Sequence, residues 1–360
     1  MAVCPYQMTA PAWEDDRGSG RQIAEPYFDT QLNGWVLSRY ADVIAAFNSP
    51  DLVVVGPAIK AEYPPLDEAA RLRTRAETRD ALSPAALRFW RREMLCHARA
   101  RVAQFECNQA VDLIKDYAEP LCLVLAILVT QPGPIPSQRL ASLAADISWA
   151  AADPLNEQLK VRSKLATAEL QPFFTTGPEP MRDSGFVALS RTLVSLLGNA
   201  WFALARHPQE WKRLHMRPAL VARGVEELQR FAGLARLLFR RAIADTTLNG
   251  LSIRNGDRVI LSLPAANCDP ERYPKPHEFS VMRPRISHVS LGAGPHACVG
   301  APLIRMATIA ATLALVERFA SVQLIPPIEW RGGIGFVSPM ALPVLPATQQ
   351  STGFDRRSYT

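Results

Sequence analysis

One segment constrains this chain more than any other: Ser287-His288-Val289-Ser290-Leu291-Gly292-Ala293-Gly294-Pro295-His296-Ala297-Cys298-Val299-Gly300. A cysteine follows a glycine-rich turn and stands just before a long segment. In that segment Leu303, Met306, Ile309, Ala310, Leu313, Val316 and Phe319 recur at helical spacing. Glycines let the backbone approach a bulky partner and adopt conformations closed to other residues. A sulfur held just before a helix start feels the positive end of the peptide dipoles, which favours thiolate over thiol. A thiolate presented in this way is a metal ligand. A cysteine without this setting is more often an inert, buried small hydrophobe.

From Leu291 to Gly300 the spacing resembles the haem-binding loop of the cytochrome P-450 family, Phe-Gly-x-Gly-x-His-x-Cys-x-Gly, with Leu291 in place of Phe. The resemblance spans roughly residues 26–343 and is strongest after 190. It implies an α+β fold, mainly α with small β-sheets, and haem b held through its iron by Cys298. A thiolate ligand of that kind pushes electron density onto iron and helps split an O–O bond. Within the loop, Leu291, Gly292, His296 and Gly300 are expected to contact the cofactor. The implied organisation is a loose segment over 1–25, a single haem-thiolate domain over 26–345 and a disordered tail over 346–360.

The 360 residues exceed the usual span of one core, ~100–200 residues. An apolar content of 48% suits a globular protein. No run of eighteen uninterrupted apolar residues occurs, so no spanning helix is expected, and the N-terminus lacks the pattern of a secretory signal. The six cysteines form no CxxC pair, which suggests free thiols in a reducing cytoplasm. The net charge of +6 comes mainly from scattered arginines without a nucleic-acid motif. It is better read as haem-carboxylate binding plus a positive face for an acidic redox partner.

Local pattern predicts a strand over Gly34–Tyr40 followed by a helix, helix-rich stretches over 66–127 and 137–215, and a helix over 218–232. Leu248–Ser262 alternates like a hairpin with Asn255-Gly256-Asp257 as its turn, and a proline-rich loop fills 264–286. The last helix runs from about 301 to 319. Family members are normally some tens of residues longer. The shortfall falls before the helix near 79 and between about 130 and 185, regions that lid the substrate pocket in the family. The lid is therefore expected to be shortened, which implies either a more open distal side or a substrate that supplies its own cover.

Glu227-Leu228-Gln229-Arg230 matches the family's Glu-x-x-Arg. Residues three apart on a helix can pair, and the resemblance implies a lock onto Arg283. Haem carboxylates need cationic or imidazole donors. By position Arg240 and His288 match the family's partners for them, and Arg75 and Arg79 occupy its His-x-x-x-Arg. A one-turn shift nominates Ala69 and Arg73 instead. His296 matches a side chain used near a haem carboxylate or the redox-partner face.

The pattern breaks on the long helix around 187–204. The family's oxygen-handling signature, small residue, acid and threonine, falls on Leu189, Arg191 and Thr192. Arginine offers donors only and cannot shuttle protons as a carboxylate does. Peroxide-using relatives carry Arg at this position to hold a substrate carboxylate, which makes Arg191 and Thr192 the candidate catalytic pair. The bland alternative has Arg191 reaching solvent and Thr192 bonding a carbonyl in the preceding turn.

The resemblance as a whole implies a cytoplasmic, monomeric monooxygenase acting on a small or medium organic molecule. It would use O2 and electrons from NAD(P)H through a separate ferredoxin or flavodoxin and its reductase, with no role for membrane or nucleic acid. A peroxide-driven peroxygenase or an oxidative-coupling enzyme is one rival. A non-catalytic haem-binding accessory or sensor is another.

Overall fold

A helix that is apolar on every side must be buried on every side. In the computed structural model, which describes residues 24–55, 68–175, 181–284 and 287–348, that helix is the run Asp183–Ala205. By length and composition it could cross a membrane, yet 78% of its most apolar window is packed inside the protein. All residues from Leu193 to Ala205 are buried.

In chain order the elements are β1 (Tyr27–Asp29), β2 (Gly34–Leu37), α1 (Tyr40–Asn48), β3 (Leu52–Val54), α2 (Glu68–Ala81), α3 (Pro84–Val102) and β4 (Val111–Asp112). Next come α4 (Glu119–Thr130), α5 (Ser137–Ala152), α6 (Glu157–Leu170), α7 (Asp183–Val187), α8 (Leu193–Ala205), α9 (Pro208–Met216) and α10 (Val221–Ala232). The remainder comprises β5 (Leu237–Ala242), β6 (Thr246–Leu248), β7 (Leu251–Ile253), β8 (Arg258–Ser262), α11 (Leu263–Ala266), α12 (Ala301–Arg318), β9 (Ser321–Leu324), β10 (Trp330–Gly332), β11 (Val337–Pro339) and β12 (Pro343–Ala347). A five-stranded sheet has the order β1-β2-β8-β5-β3, and β4-β12-β9 form a three-stranded one. The α+β class expected from the sequence is observed. The expected loose N-terminal segment and disordered tail fall almost wholly outside the described residues.

The core is helical. Trp201 on α8 stacks on Tyr117 with ring centroids 5.2 Å apart, and its indole N–H donates to Thr312 Oγ1 on α12 at 3.1 Å. The Tyr117 hydroxyl donates to the Ala311 carbonyl at 2.8 Å. A buried indole or phenol needs such a partner, and both partners lie on the helix that follows the cysteine loop.

The hairpin expected over Leu248–Ser262 is not the one that forms. The chain does reverse at Gly256, where φ is +90°, but β7 turns back on β6, and β8 runs parallel to β2 and antiparallel to β5. Val259, Ile260 and Leu261 are fully buried and need sheet on both sides, which a three-residue β7 does not supply.

The proline-rich stretch after α11 has little regular structure, so its carbonyls need partners from elsewhere. Glu227 and Arg230 on α10, with Arg283, supply them. Arg230 pairs with both Glu227 oxygens at 2.7 and 2.8 Å and donates to the Asn267 and Pro276 carbonyls. Arg283 Nε reaches Glu227 at 2.9 Å, and its other nitrogens donate to the Pro274, Lys275 and Glu278 carbonyls. The side chains of Arg230 and Glu227 are only 2% and 5% exposed. Removing one charge from a buried network leaves the others unbalanced, typically at a cost of ~3–5 kcal/mol. Glu227→Gln is expected to lower unfolding free energy by that order in a denaturant titration. A loss of under ~1 kcal/mol, the range of surface pairs, would contradict this role.

Candidate functional site

The cysteine loop is shaped by its glycines and one tight backbone bond. Cys298 N–H donates to the Leu291 carbonyl at 2.6 Å. Gly292 has φ +71°, and a Cβ there would stand 2.7 Å from the His296 carbonyl oxygen, so only glycine fits. The loop ends at Gly300, and α12 starts one residue later.

The Cys298 side chain borders a cavity of about 500 Å³, within the ~300–1,000 Å³ range of small-molecule and cofactor sites. Its walls are mostly apolar: Leu82, Leu189, Leu196, Leu238, Leu263 and Phe336 among them. Leu291, Gly292, His296 and Gly300 of the loop line it too, as does Thr192. The helix over this cavity is not regular. Across Ala188–Thr192 it widens into a π-turn in which Leu193 N–H reaches back to the Ala188 carbonyl. Such turns concentrate at functional sites.

Burial pushes the Cys298 thiol up, while the backbone N–H groups of Gly300 and Ala301 and the cations Arg75 and Arg305 oppose it. Desolvation therefore outweighs the helix-start effect expected from sequence, and in the protein alone the thiol is favoured. A bound metal cation reverses that balance.

The other expected residues divide. Arg75 donates to the Ala297 carbonyl at 2.6 Å, next to the cysteine. Arg240 is buried on β5, its guanidinium 5.5 Å above the Phe47 ring. It shares its strand face with Leu238, a cavity wall. His288 is buried at the mouth of the loop, its Nε2 3.3 Å from Glu226 Oε2. Two residues sit elsewhere. Arg79 is exposed on α2, while its neighbour Thr78 turns into the cavity. Arg191 points away to a second cavity, where it pairs with Glu119 at 2.7 Å and donates through Nε and Nη2 to the Ala141 carbonyl at 3.1 and 2.9 Å. A guanidinium engaged on these two partners, outside the Cys298 cavity, does not anchor a substrate there, and it does not reach solvent as a free cation either. Arg73 is exposed, and the side chain of Ala69 lies outside the described residues.

Sequence reasoning missed Glu226 and Arg305. Arg305 Nε meets Glu226 Oε1 at 2.7 Å, so α10, α12 and the loop histidine converge on one carboxylate. The available signal was Arg305 one turn into the helix after the cysteine, facing the acid beside Glu227.

A thiol-bearing loop on an apolar cavity, flanked by Arg75, Arg240 and His288, fits haem, a flat apolar macrocycle with an anionic edge and an iron that takes sulfur. A further buried donor without a partner, Gln229, lines the same cavity.

Burial alone would raise Glu226. The His288 imidazole and Arg305 guanidinium beside it outweigh burial and bring its carboxyl from 4.5 down to about 2. A folded-state pKa below the unfolded one stabilises above the unfolded value, and that stability is lost as pH falls from about 4.5 towards 2. Glu226→Gln is expected to flatten this part of the acid-unfolding curve. An unchanged acid limb in the variant would contradict the cluster.

Comparison with known proteins adds to this geometry. The family model for cytochrome P-450 matches residues 203–329, which include the cysteine loop and the Glu227–Arg230 helix. The polyketide biosynthesis cytochrome P-450 PksS of Bacillus subtilis is 36% identical over 162 residues, covering 44% of this chain and 40% of PksS. Cytochrome P-450 CYP199A2 of Rhodopseudomonas palustris is 28% identical over 349 residues, covering 85% of this chain and 84% of that protein. Among solved structures, P-450 BioI in complex with an acyl carrier protein superposes with TM-score 0.80 at 20% identity over 93% of this chain and 97% of BioI, a likeness of fold. The matched segment, the relative aligned over most of its length and the shared architecture agree: the chain has the cytochrome P-450 fold and is similar to cytochrome P-450 proteins, most strongly over residues 203–329.

Proposed function

We propose that this chain is a haem-thiolate monooxygenase that oxidises an apolar small or medium organic molecule of specialised metabolism. The reading rests on one observation above others: Cys298 presents its sulfur to an apolar cavity whose wall also carries Thr192 at a π-turn of the overlying helix. Haem bound there would supply activation of dioxygen at its iron.

The roles of the chain's own residues follow from their positions. Cys298 would hold the haem iron through its sulfur. Arg75, Arg240 and His288 are the donors nearest the loop for the cofactor's carboxylates. Glu227, Arg230 and Arg283 hold the segment leading to the loop. Thr192 offers the cavity a hydroxyl able to hold a proton at Oγ, and Leu189 narrows the space beside it. Leu82, Leu196 and Phe336 exclude water and favour an apolar substrate. Relatives include P-450s named for polyketide and biotin biosynthesis, which supports an acyl or polyketide-like substrate. Electrons would come from a separate ferredoxin or flavodoxin with its NAD(P)H reductase.

The peroxygenase alternative loses its main support, because Arg191 is bound to Glu119 and the Ala141 carbonyl and stands outside the cavity. The test is turnover of a panel of fatty acids and macrolactones with NADPH, a surrogate ferredoxin and its reductase under isotope-labelled dioxygen. Labelled product is expected from the wild type. Thr192→Ala is expected to release more hydrogen peroxide and give less product per electron, in line with loss of one proton-handling group. Product formed equally well with hydrogen peroxide alone, and abolished in Arg191→Ala, would overturn the reading in favour of the rival.

A further inference from the structure

Apart from the Trp201 indole, α8 carries two polar side chains, Ser195 and Asn199. Ser195 Oγ meets Ser338 Oγ at 3.1 Å. Asn199 is 2% exposed and uses half of its amide. Its Nδ2 donates to the Val337 carbonyl at 3.0 Å, while Oδ1 has no hydrogen-bond partner among the described residues. Burying an acceptor without a partner costs the full desolvation of that group. Leucine would fill the same space in an otherwise apolar helix without that cost, so an asparagine here calls for an occupant that pairs with its oxygen.

Asn199 borders a small cavity of about 20 Å³, which it shares with Arg230, Arg236, Asn267 and Ser290. Roughly 10–15 Å³ is the least space that takes one water, and a buried water makes about three hydrogen bonds. The walls select among occupants of this size. Two arginines on the border disfavour a metal cation. The acceptor oxygen of Asn199 disfavours an anion, and so does the negative end of the α10 dipole, because that helix stops at the cavity with Gly233 in its wall. A neutral molecule that both donates and accepts suits all of them. Two other polar walls have capacity to spare. Asn267 Nδ2 gives one N–H to Ser290 Oγ at 2.7 Å and carries a second. Ser290 Oγ accepts that bond and donates to the Gln229 carbonyl at 2.6 Å, which leaves it one lone pair.

We infer that Asn199, Asn267 and Ser290 form a site for one buried water. The water donates to Asn199 Oδ1 and to Ser290 Oγ and accepts from Asn267 Nδ2. It joins α8, which borders the Cys298 cavity through Leu193 and Leu196, to the residues that lead into the cysteine loop. Two walls of that cavity are thereby held in one hydrogen-bonded network. The site goes beyond the monooxygenase reading and does not depend on it, since none of its three partners needs a bound cofactor.

A crystal structure of the full chain, purified with whatever cofactor it holds and refined at a resolution that shows ordered water, tests the site directly. One water is expected within hydrogen-bond distance of Asn199 Oδ1 and of Asn267 Nδ2 or Ser290 Oγ, and it is expected to be lost in Asn199→Leu. No density at that place in the wild type overturns the inference. So does an anomalous signal there after soaking in rubidium or bromide, which would mark an ion. Urea titrations of the wild type, Asn199→Leu, Ser290→Ala and the double variant test the joint. Ser290→Ala is expected to lower the unfolding midpoint less in the Asn199→Leu background than in the wild type, because the water it would release is already gone. An equal drop in both backgrounds overturns the bridge between α8 and the loop. Asn199→Ala takes the place of Asn199→Leu if leucine blocks folding. A colourless chain that still holds the water would overturn the haem reading alone.

Discussion

The position of one sulfur depends on a relay of hydrogen bonds that starts on a different helix. Glu227 holds Arg230, and Arg230 donates to the Asn267 carbonyl at 2.7 Å. The Asn267 side chain accepts from Val289 N–H at 2.9 Å and donates to Ser290 Oγ at 2.7 Å. Ser290 Oγ in turn donates to the Gln229 carbonyl, returning to the first helix. From there the loop closes through Leu291 and Cys298. The chain between α11 and α12 has almost no regular secondary structure. Its backbone groups are satisfied by buried charge and amide contacts, and the cysteine loop inherits its rigidity from them. A site held this way is preorganised: the protein spends its ordering cost in folding and little of it when the cofactor arrives.

The other side of the cavity is built on a different principle. Its helix is buried all round and carries few polar groups, so the one wide turn at Ala188–Thr192 stands out. Arg191 turns there to α4 and α5 and ties them to the distal helix. Arg191 therefore acts as a three-helix clamp. The second cavity, about 190 Å³ and lined by Glu119, Ser148, Ser195 and Ser338, lies on that side of the helix. On the cavity side the same turn sets Thr192 in a mostly apolar wall.

What the sequence made legible was local and chemical. Gly292 and Gly294 of the cysteine loop each have a steric reason, a positive φ and a neighbour that a Cβ would strike, and that reason survives in a single chain. The Glu227–Arg230 pair was readable because three-residue spacing on a helix is fixed geometry. What failed needed information from a distance. Gly250 and Gly256 both reverse the chain with φ near +90°, and only the burial demand of Val259–Leu261 decides which strands pair. Arg191 was placed by counting along a regular helix, and a π-turn inserts an extra residue that no local pattern announces. Arg79 and Thr78 illustrate a smaller slip, in which one residue of offset sends the threonine inward and the arginine out.

The most direct measurement is the absorption spectrum of the purified, haem-loaded chain after reduction and exposure to carbon monoxide. The account predicts a carbonyl adduct at the wavelength from which the cytochrome P-450 family takes its name, lost in Cys298→Ser. A protein that stays colourless when supplied with haem, or a carbonyl adduct absorbing like that of a histidine-bound globin, would contradict it.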